Sequence, residues 1–402
     1  MRILHLSNSD SSGAGLCAYR INKSLQKSGV DSKMLVLKKS SNDDSVRSTF
    51  IIKNTIYRIF HFMLRFFRLY FFEYDRLIKL SEEYGVGYSR PITPFDLSNH
   101  PWVKEADIIH FHWVDDFFDQ KKFLEKVKKP IVWTLHDENL FYGISHYHDK
   151  VLADERMEIK YKSIKEQMIK NCPNLIFVFL SEYFAKNFGS NDIIKGHKYT
   201  VINNSVDTDD FILINKDEAK SRLKLLSKFI YFAFLAGNIS DEQKGLHKLI
   251  KAVNKLNEES DRFRIIAIGN NPPKIYSQYM IETGPIYDCN ILSEWLSASD
   301  YFIMPSSQEA FSQAPIEAMA CGTPVVAFPV SGTSELINYA NGVICKGFAI
   351  EDLLQGIMLA LSRSYNSKEI RSFVSLFFSP SHISEQYKNL YYEILTKSNN
   401  ND

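Results

Sequence analysis

The chain has 402 residues and a formal net charge of +1. Because domains average roughly 150 residues, this length predicts two or three domains. Hydrophobic residues make up 45% and charged residues 24%, which is ordinary for a globular protein, and the near-zero charge argues against a nucleic-acid partner. The five cysteines form no Cys-x-x-Cys pair, so the sequence gives no zinc signature and fits a reducing compartment.

The N-terminal residues do not have the pattern of a secretion signal. Met1–Ser7 lacks a basic region followed by a long apolar core. Nor does any uncharged apolar run approach the roughly 20 residues of a membrane span. We therefore expect a cytoplasmic protein.

Two series of short apolar runs follow one another along the chain. Several runs are apolar without a break, which is typical of strands buried on both faces of a parallel sheet, and helical patterns alternate with them. This alternation predicts two Rossmann-like, doubly wound α/β domains. The first series comprises Arg2–Ser7, Lys33–Leu37, Asp107–His112, Ile131–Leu135 and Leu175–Leu180; the second comprises Phe229–Ala236, Arg264–Ile268, Tyr301–Met304 and Val325–Phe328.

A polar stretch, Asn203–Asn215, separates the two series. It places an N-terminal domain at residues 1–208 and a C-terminal domain at residues 209–378. The remaining residues, 379–402, contain a last helical pattern, and we expect that helix to pack back on the first domain.

One segment between the second and third predicted strands is unusual. Asn54, Arg58, His61, Arg65 and Arg68 recur every three or four residues and share one stripe of a helix, while aromatic and aliphatic side chains cover the rest. One interpretation is a helix in a membrane interface, with its arginines at the lipid phosphates. The other is a helix packed into the first domain. The sequence leaves both open.

The segment 306–326 is the most informative in the chain. It follows an apolar strand, Pro315 suits the first turn of a helix, and Gly322 suits its end. We therefore expect Glu309 on the loop at the carboxyl end of the strand and Glu317 in the first turns of the helix, at the sheet edge where ligands bind. Two carboxylates can accept hydrogen bonds from the hydroxyls of a sugar and a ribose, and helix N-terminal amides suit a diphosphate.

Two glutamates eight residues apart mean little alone, since both could simply face solvent. With the helix and the Gly-Thr-Pro-Val-Val sequence that follow, the segment resembles the retaining GT-B glycosyltransferases of family four. The His-Asp pair at 136–137 and residues 142–147 resemble the branch found in polysaccharide and O-antigen gene clusters. Further resemblances lie at 2–6, 12–15, 106–113, 134–137, 203–207 and 237–246.

This resemblance implies two Rossmann-like domains facing each other across a cleft, with the nucleotide sugar in the second and the acceptor mainly in the first. Glu309 would hold hydroxyls of the donor sugar, Glu317 would bind the ribose, and Lys244 would neutralise the diphosphate. His136 would face the donor sugar from the first domain. The other donor-binding candidates are Gly13, Gly15, Asn238, Ile286, Phe311, Ser312 and Gln313.

The chain departs from that family in three respects. Asn238 stands where arginine is usual, which removes one cation from the diphosphate site. Ser205 and Ser312 stand where glycine is usual. The loop after the His-Asp pair has none of the cysteines common in the branch, which suggests that any metal site of those relatives is absent.

Other interpretations of the sequence stay open. His110 and His112 would share one face of a strand, which could indicate a metal hydrolase, although no further ligand cluster follows at a suitable spacing. The glycines at 13 and 15 alone are a weak dinucleotide signal, and no acidic residue stands directly at the end of the second strand as an NAD site would need. A nucleotide-sugar epimerase of the same fold and a catalytically silent donor-binding or glycan-binding subunit also remain.

We therefore expect a retaining, metal-independent glycosyltransferase that needs no cofactor. It would move a sugar from a nucleoside-diphosphate sugar, UDP first and GDP next, onto a glycan or lipid-linked glycan acceptor in surface polysaccharide biosynthesis. If the arginine-bearing helix lies in a membrane interface, Arg58, Arg65 and Arg68 would bring the protein to the inner face of the membrane.

Overall fold

The structure is a computed structural model that describes residues 1–11, 13–49, 71–84, 87–147, 154–271, 277–330 and 332–399. The helix predicted near residues 55–72, which carries Arg58, Arg65 and Arg68, lies outside these residues apart from positions 71 and 72. The chain divides into two compact units. Unit 1 comprises Met1–Leu180, Ala185–Ile202 and Ser384–Asp402, and unit 2 comprises Ser181–Phe184 and Asn203–Ile383.

The described strands of unit 1 form one parallel sheet with the order β3-β2-β1-β4-β5-β6-β7. Every residue of β5 is buried, as expected for a strand covered on both faces. The strands are β1 (Arg2–Ser9), β2 (Asp31–Lys38), β3 (Val46–Ser48), β4 (Ile108–Phe111), β5 (Ile131–Leu135), β6 (Leu175–Phe179) and β7 (Lys198–Val201).

Helices alternate with these strands along the chain. The last helix of the chain returns to unit 1, where Tyr387 and Tyr391 are buried and hydrogen-bond to the side chains of Thr134 and His110. The helices are α1 (Ala14–Lys27), α2 (Phe71–Tyr84), α3 (Pro101–Glu105), α4 (Gln120–Lys126), α5 (Glu155–Lys170), α6 (Glu182–Phe188), whose first residues belong to unit 2, and the C-terminal α14 (Pro380–Asn399).

Unit 2 contains a second parallel sheet, with the order β10-β9-β8-β11-β12-β13 among its described strands. The strands are β8 (Ile230–Asn238), β9 (Phe263–Asn270), β10 (Met280–Gly284), β11 (Tyr301–Met304), β12 (Val325–Ala327) and β13 (Gly342–Ile344). The helices are α7 (Lys216–Arg222), α8 (Leu246–Glu259), α9 (Cys289–Ala298), α10 (Ala314–Ala320), α11 (Thr333–Leu336), α12 (Ile350–Leu361) and α13 (Ser367–Phe377).

The predicted fold class, two parallel-sheet α/β domains, is confirmed. In each sheet the strand order reverses once, between β1 and β4 in unit 1 and between β8 and β11 in unit 2. At such a reversal the connections leave in opposite directions and open a crevice at the carboxyl ends of the strands, where ligands of doubly wound sheets bind. In the part of the chain that the structure describes, none of the helices is long and apolar enough to cross a membrane.

Candidate functional site

The loops that follow β8 and β11 meet at the strand-order reversal of unit 2. The Ser307 backbone N–H donates to the Gln243 carbonyl at 2.9 Å, and the Gln243 side-chain amide donates to Gln308 Oε1 at 3.2 Å. These bonds fix two loops that are about 65 residues apart in the chain. The sequence-predicted residues Lys244 and Glu309 each lie next to this junction.

Gly245 makes this close approach sterically allowed. Its φ is +80°, a left-handed conformation that favours glycine, and it directly precedes α8. A Cβ atom at this position would lie 2.1 Å from the backbone carbonyl oxygen of Pro305. The chain therefore needs glycine here to bring Lys244 against the loop after β11.

Lys244 and Glu309 form an ion pair at the centre of the junction. Lys244 Nζ lies 2.8 Å from Glu309 Oε1, and the two side chains are 31% and 9% exposed. Burial opposes the lysine charge, but the neighbouring Glu309 carboxylate outweighs it and raises the pKa of Lys244. The site thus holds a cation that stays charged through neutral pH beside a carboxylate.

Glu317 lies in the first turn of α10, as the sequence predicted. The helix begins after Gln313, whose carbonyl accepts from the backbone N–H of Glu317, and Pro315 occupies its first turn. Gly322, with φ of +78°, ends it. Glu317 is 8% exposed, so little of this residue is open to solvent.

The structure places the other predicted donor-binding residues of unit 2 in different settings. Asn238 ends β8, and its Oδ1 accepts from the backbone N–H and hydroxyl of Ser240, so its side chain serves the local turn. Phe311 is buried and packs near Phe378, with ring centroids 6.3 Å apart. Ser312 is half-buried, between Phe311 and Gln313 on the loop that leads into α10.

Ile286 lies on a separate loop, between β10 and α9, where it is half-buried. Tyr287, the next residue, is 85% exposed, and sequence analysis did not select it. An aromatic ring so exposed near the carboxyl end of a parallel strand can stack on a planar ligand group. The sequence pointed to this loop only through Ile286, which the family resemblance selected.

The first-domain glycines lie after the carboxyl end of β1. Gly13 adopts φ of +46° immediately before α1. At Gly15 a Cβ atom would lie 2.1 Å from the carbonyl oxygen of Ser9, so glycine lets α1 pack directly on the end of the strand. Nearby, the Asp10 carboxylate accepts from the backbone N–H groups of Ser40 and Ser41 at 2.8 and 3.0 Å.

His136 directly follows β5 and ends a buried chain of histidines. Its Nε2 shares a hydrogen bond with His112 Nδ1 at 3.2 Å, and His112 Nε2 shares another with His5 Nδ1 at 2.9 Å. Burial lowers the pKa of His136 to about 4 and that of His5 to about 3. The imidazoles are therefore neutral near pH 7, and each ring orients the next.

His5, His110 and His112 are also the residues of the described chain that could hold a metal ion, because each offers a nitrogen within 4.8 Å of the others. The sequence singled out His110 and His112 but not His5, which lies opposite His110 in the register of β1 and β4. Both nitrogens of His110 are already hydrogen-bonded, to Tyr391 at 2.7 Å and to Thr134 at 2.8 Å. The geometry is that of a hydrogen-bonded core network.

A second polar cluster follows β5. His146 Nδ1 lies 2.7 Å from Asp137 Oδ2, and His146 Nε2 lies 2.9 Å from Ser89 Oγ. This connectivity matches a nucleophile, a base and an orienting carboxylate, but Ser89 is only 3% exposed. We interpret Ser89 and Asp137 as the groups that fix the His146 ring.

The family comparison bears on unit 2. Residues 231–363 match the family model described as glycosyl transferases group 1, and this range contains Asn238, Lys244, Glu309 and Glu317. Unit 2 carries a glycosyl transferases group 1 domain. The Lys244–Glu309 junction is therefore part of the group 1 domain, and it lies at the strand-order reversal of that domain's sheet.

A curated relative covers part of the chain. Over 228 residues the chain is 25% identical to Protein CapJ of Staphylococcus aureus, an alignment that covers 53% of this chain and 52% of CapJ. The chain thus spans about half or less of the length of the curated relatives it matches.

Solved structures match nearly the whole chain. A sucrose-phosphate synthase from Thermosynechococcus elongatus aligns with a TM-score of 0.66 at 15% identity, covering 99% of this chain and 100% of that one. HepE of Anabaena, solved in complex with UDP, aligns with a TM-score of 0.62 at 16% identity, covering 98% and 100%. At these identities the likeness identifies the fold, which is that of the GT-B glycosyltransferases.

Proposed function

We propose that the chain is a retaining glycosyltransferase that moves a sugar from a nucleoside-diphosphate sugar to a glycan or lipid-linked glycan acceptor in surface polysaccharide biosynthesis. The observation that carries the proposal is the Lys244–Glu309 ion pair, 2.8 Å long, at the strand-order reversal of the group 1 domain. A nucleoside-diphosphate sugar needs a cation to neutralise its diphosphate and a carboxylate to accept hydrogen bonds from its sugar hydroxyls. This pair provides both groups side by side.

Each member of the pair has a distinct role in this proposal. When the donor binds, Lys244 leaves Glu309 and pairs with the diphosphate. There it stabilises the negative charge that grows on the leaving group. Glu309, released from the lysine, accepts hydrogen bonds from hydroxyls of the transferred sugar. Glu317, buried at the start of α10, takes the ribose hydroxyls, and the loop amides at 311–313 lie against the sugar and phosphates.

The position of Asn238 makes Lys244 more important. Asparagine carries no charge, and the Asn238 side chain is already engaged in the turn at Ser240, so residue 238 contributes no cation to the diphosphate. Lys244 is then the main charge that the group 1 domain brings to that group, and donor binding depends on it.

UDP is the favoured nucleotide and GDP the next. HepE, whose fold this chain shares, has been solved with UDP and with UDP-glucose, which supports the choice by analogy. In unit 1, we propose donor-side roles for His136, Gly13 and Gly15; His136 is neutral and oriented by His112. No cofactor is part of the proposal.

The membrane part of the proposal concerns Arg58, Arg65 and Arg68. A lipid-linked acceptor would be met at the inner face of the membrane, where arginines on an aromatic helix bind lipid phosphates. Replacing the three arginines by glutamate should abolish sedimentation with anionic vesicles. Unchanged sedimentation, or none by the parent protein, would refute the membrane contact alone.

The decisive experiment is isothermal titration of the full chain with UDP, GDP and CDP, repeated with Glu317→Ala. Lys251→Gln is a control, because Lys251 is exposed on α8 in the same unit. We expect one nucleotide to bind saturably, the Glu317→Ala variant to lose that binding, and the control to keep it. The anomeric proton of the product, read by NMR with the matching nucleotide sugar, then reports whether the configuration is retained.

Three results would contradict the proposal. Absence of binding by every nucleotide would favour a silent subunit. Interconversion of the free nucleotide sugar without transfer would favour an epimerase of the same fold. Binding that survives Glu317→Ala would place the nucleotide elsewhere in the chain.

A further inference from the structure

Three histidines on neighbouring strands of unit 1 lead from the core of the sheet to the carboxyl end of β5. His5 lies within β1, His112 directly follows β4, and His136 directly follows β5. His5 Nδ1 lies 2.9 Å from His112 Nε2, and His112 Nδ1 lies 3.2 Å from His136 Nε2. We call these three residues the histidine chain. The proposed function gives a role to His136 and none to His5.

The protons of the histidine chain can be arranged in few ways. Burial lowers the pKa of all three imidazoles, so each ring is neutral and carries a single N–H near neutral pH. A neutral imidazole has one donor nitrogen and one acceptor nitrogen. Both hydrogen bonds of the chain therefore form in only two arrangements. In the first, His5 and His112 donate from Nδ1 toward His136; in the second, His136 and His112 donate from Nε2 toward His5.

The two arrangements differ at the buried end of the chain. His5 Nε2 is inaccessible to solvent and has no hydrogen-bond partner among the residues that the structure describes. His110, opposite His5 in the strand register, already uses both ring nitrogens, in hydrogen bonds with Tyr391 and Thr134. The first arrangement therefore leaves an unpaired acceptor at His5 Nε2, and the second leaves an unpaired N–H there.

An unpaired N–H is the less favourable of these two outcomes. Among buried backbone groups, N–H donors without an acceptor are rarer than carbonyl acceptors without their full set of donors. The same preference in an imidazole places the proton of His5 on Nδ1, from which it donates to His112 Nε2. His112 then carries its own proton on Nδ1 and donates to His136 Nε2.

The other end of the chain supports the first arrangement. His136 is half-buried rather than buried, and its Nδ1 has no hydrogen-bond partner in the described part of the chain. In the first arrangement the one N–H that the chain leaves unpaired is on His136 Nδ1. A donor at this end can be satisfied by solvent or by a ligand, whereas a donor at His5 Nε2 cannot.

We propose that the histidine chain holds the proton of His136 on Nδ1, so that His136 presents an N–H donor to an oxygen of the donor sugar. His112 is the positioning residue, and His5 sets the direction of the chain from its buried end. The placement of the proton follows from unit 1 alone. The contact with the sugar rests on the proposed function.

This arrangement also excludes His136 as a base. Its Nε2 lone pair accepts from His112, and its Nδ1 already carries hydrogen. The neutral ring therefore has no free lone pair with which to take a proton from a hydroxyl group. His136 contributes a hydrogen bond to a sugar oxygen instead.

The test reads the ring protons directly, by long-range ¹H–¹⁵N correlation NMR of the full chain labelled with ¹⁵N-histidine, near neutral pH. Such a spectrum distinguishes protonated from unprotonated ring nitrogens and thus identifies each tautomer. The signals of His136 and His112 are assigned by their loss in His136→Asn and His112→Leu. In the parent protein we expect both residues to carry their protons on Nδ1. Protonation of His136 on Nε2, or an even mixture of its tautomers, would overturn the proposal.

A variant of the positioning residue tests how the proton is held. His112→Leu removes the donor to His136 Nε2 and should let His136 populate both tautomers. His382→Gln is the control, because His382 is exposed at the start of α14, and it should leave the His136 signals unchanged. A His136 that keeps its proton wholly on Nδ1 in His112→Leu would show that His112 does not position it. If His112→Leu fails to fold, the spectrum of the parent protein still decides where the proton lies.

Two substitutions of His136 test the contact with the sugar. The side-chain amide nitrogen of asparagine is bonded to Cγ, as histidine Nδ1 is, whereas that of glutamine lies one bond further out. Calorimetry compares UDP with UDP-glucose and UDP-N-acetylglucosamine. For the tighter of the two sugars, His136→Gln should weaken binding about three- to tenfold, the range for loss of a hydrogen bond between neutral groups, and His136→Asn should recover most of that loss. UDP itself should bind both variants alike, and equal losses of UDP-sugar binding in both would refute the contact.

Failure of this inference and failure of the proposed function are distinguishable. If UDP binds but His136 carries its proton on Nε2, the inference is refuted and the transferase proposal stands. If UDP and the other nucleotides fail to bind while His136 is protonated on Nδ1, the proposed function and the sugar contact fall, and the placement of the proton stands.

Discussion

Lys244 Nζ lies 2.8 Å from Glu309 Oε1, across two loops that leave adjacent strands of the group 1 domain. The two residues form an ion pair and neutralise each other. In the proposed function, a donor diphosphate would therefore compete with Glu309 for the lysine. This competition gives the two members of the pair opposite effects on nucleotide binding.

Replacing Lys244 by glutamine should weaken UDP binding by about 10- to 100-fold, since a hydrogen bond to a charged group is lost. Replacing Glu309 by glutamine should leave UDP binding unchanged or make it tighter, because the lysine is freed. Turnover of the nucleotide sugar should nevertheless fall by about 100-fold in Glu309→Gln, the order seen when a transition-state contact is removed.

Titration calorimetry of both variants with UDP, followed by a turnover assay, checks this prediction. Lys251→Gln, on the exposed face of α8, is the charge-matched control. Weaker UDP binding by Glu309→Gln would show that the carboxylate does not compete for Lys244.

Gly245→Ala should destabilise the protein, whereas Gly237→Ala on the same side of the site should not. Gly245 has φ of +80°, and an added Cβ would meet the Pro305 carbonyl at 2.1 Å. Gly237 has no atom within 4 Å of an added Cβ. A left-handed backbone alone costs a non-glycine residue about 1 kcal/mol, and the clash adds to it. Urea denaturation of the two variants measures the difference, and equal stability would contradict the assigned contact.

The placement of Glu309 and Glu317 could be predicted from the sequence because their signature is local. Glu309, Glu317, Pro315 and Gly322 lie within one strand–loop–helix unit, so spacing alone indicated which residues reach the sheet edge. The roles assigned to Glu309, Glu317 and Lys244 came from the family resemblance. The direct ion pair could not be predicted, because it depends on how closely two distant loops approach at Gly245.

The histidine chain and the polar cluster around His146 in unit 1 were harder to predict, because their members come together only through strand register and loop folding. His5 and His110 are opposite each other only through the pairing of β1 with β4. The Trp113 and His146 rings pack together because the long loop after β5 folds back. The Glu158 carboxylate holds that loop by accepting from the backbone N–H of Ile144. The separate sequence segments do not indicate that these side chains are in contact, because the contacts depend on strand register and on the path of a loop.

Asp116 should make stability depend on pH. Burial raises the pKa of Asp116 to about 7, and Arg90 and His146 nearby only partly oppose this shift. Unfolded, the carboxyl titrates near pH 4, so the folded state binds more protons between about pH 4 and 7. Its contribution to stability is therefore full below about pH 4 and is lost as the pH rises toward 7.

Asp116→Asn removes this ionisation and should stabilise the protein at pH 8, by up to about 2 kcal/mol, with a smaller effect at pH 5. Chemical denaturation at both pH values measures the change. Asp192→Asn, at a side chain that is 96% exposed, should show no such dependence. An Asp116→Asn variant that is less stable at pH 8 than at pH 5, relative to the parent, would reverse the predicted sign.

Tyr391→Phe should destabilise unit 1, while Tyr392→Phe should leave it unchanged. The Tyr391 hydroxyl lies 2.7 Å from His110 Nδ1 in the core, whereas Tyr392 is 50% exposed on the same helix. Removing the hydroxyl leaves a buried imidazole nitrogen without its partner, which costs about 1 to 3 kcal/mol. Because His110 is buried between β1 and β5, the loss should appear in urea denaturation followed by amide exchange of those strands. If the two variants unfold at the same urea concentration, the hydrogen bond between α14 and the histidine network contributes nothing, and the helix is held by packing alone.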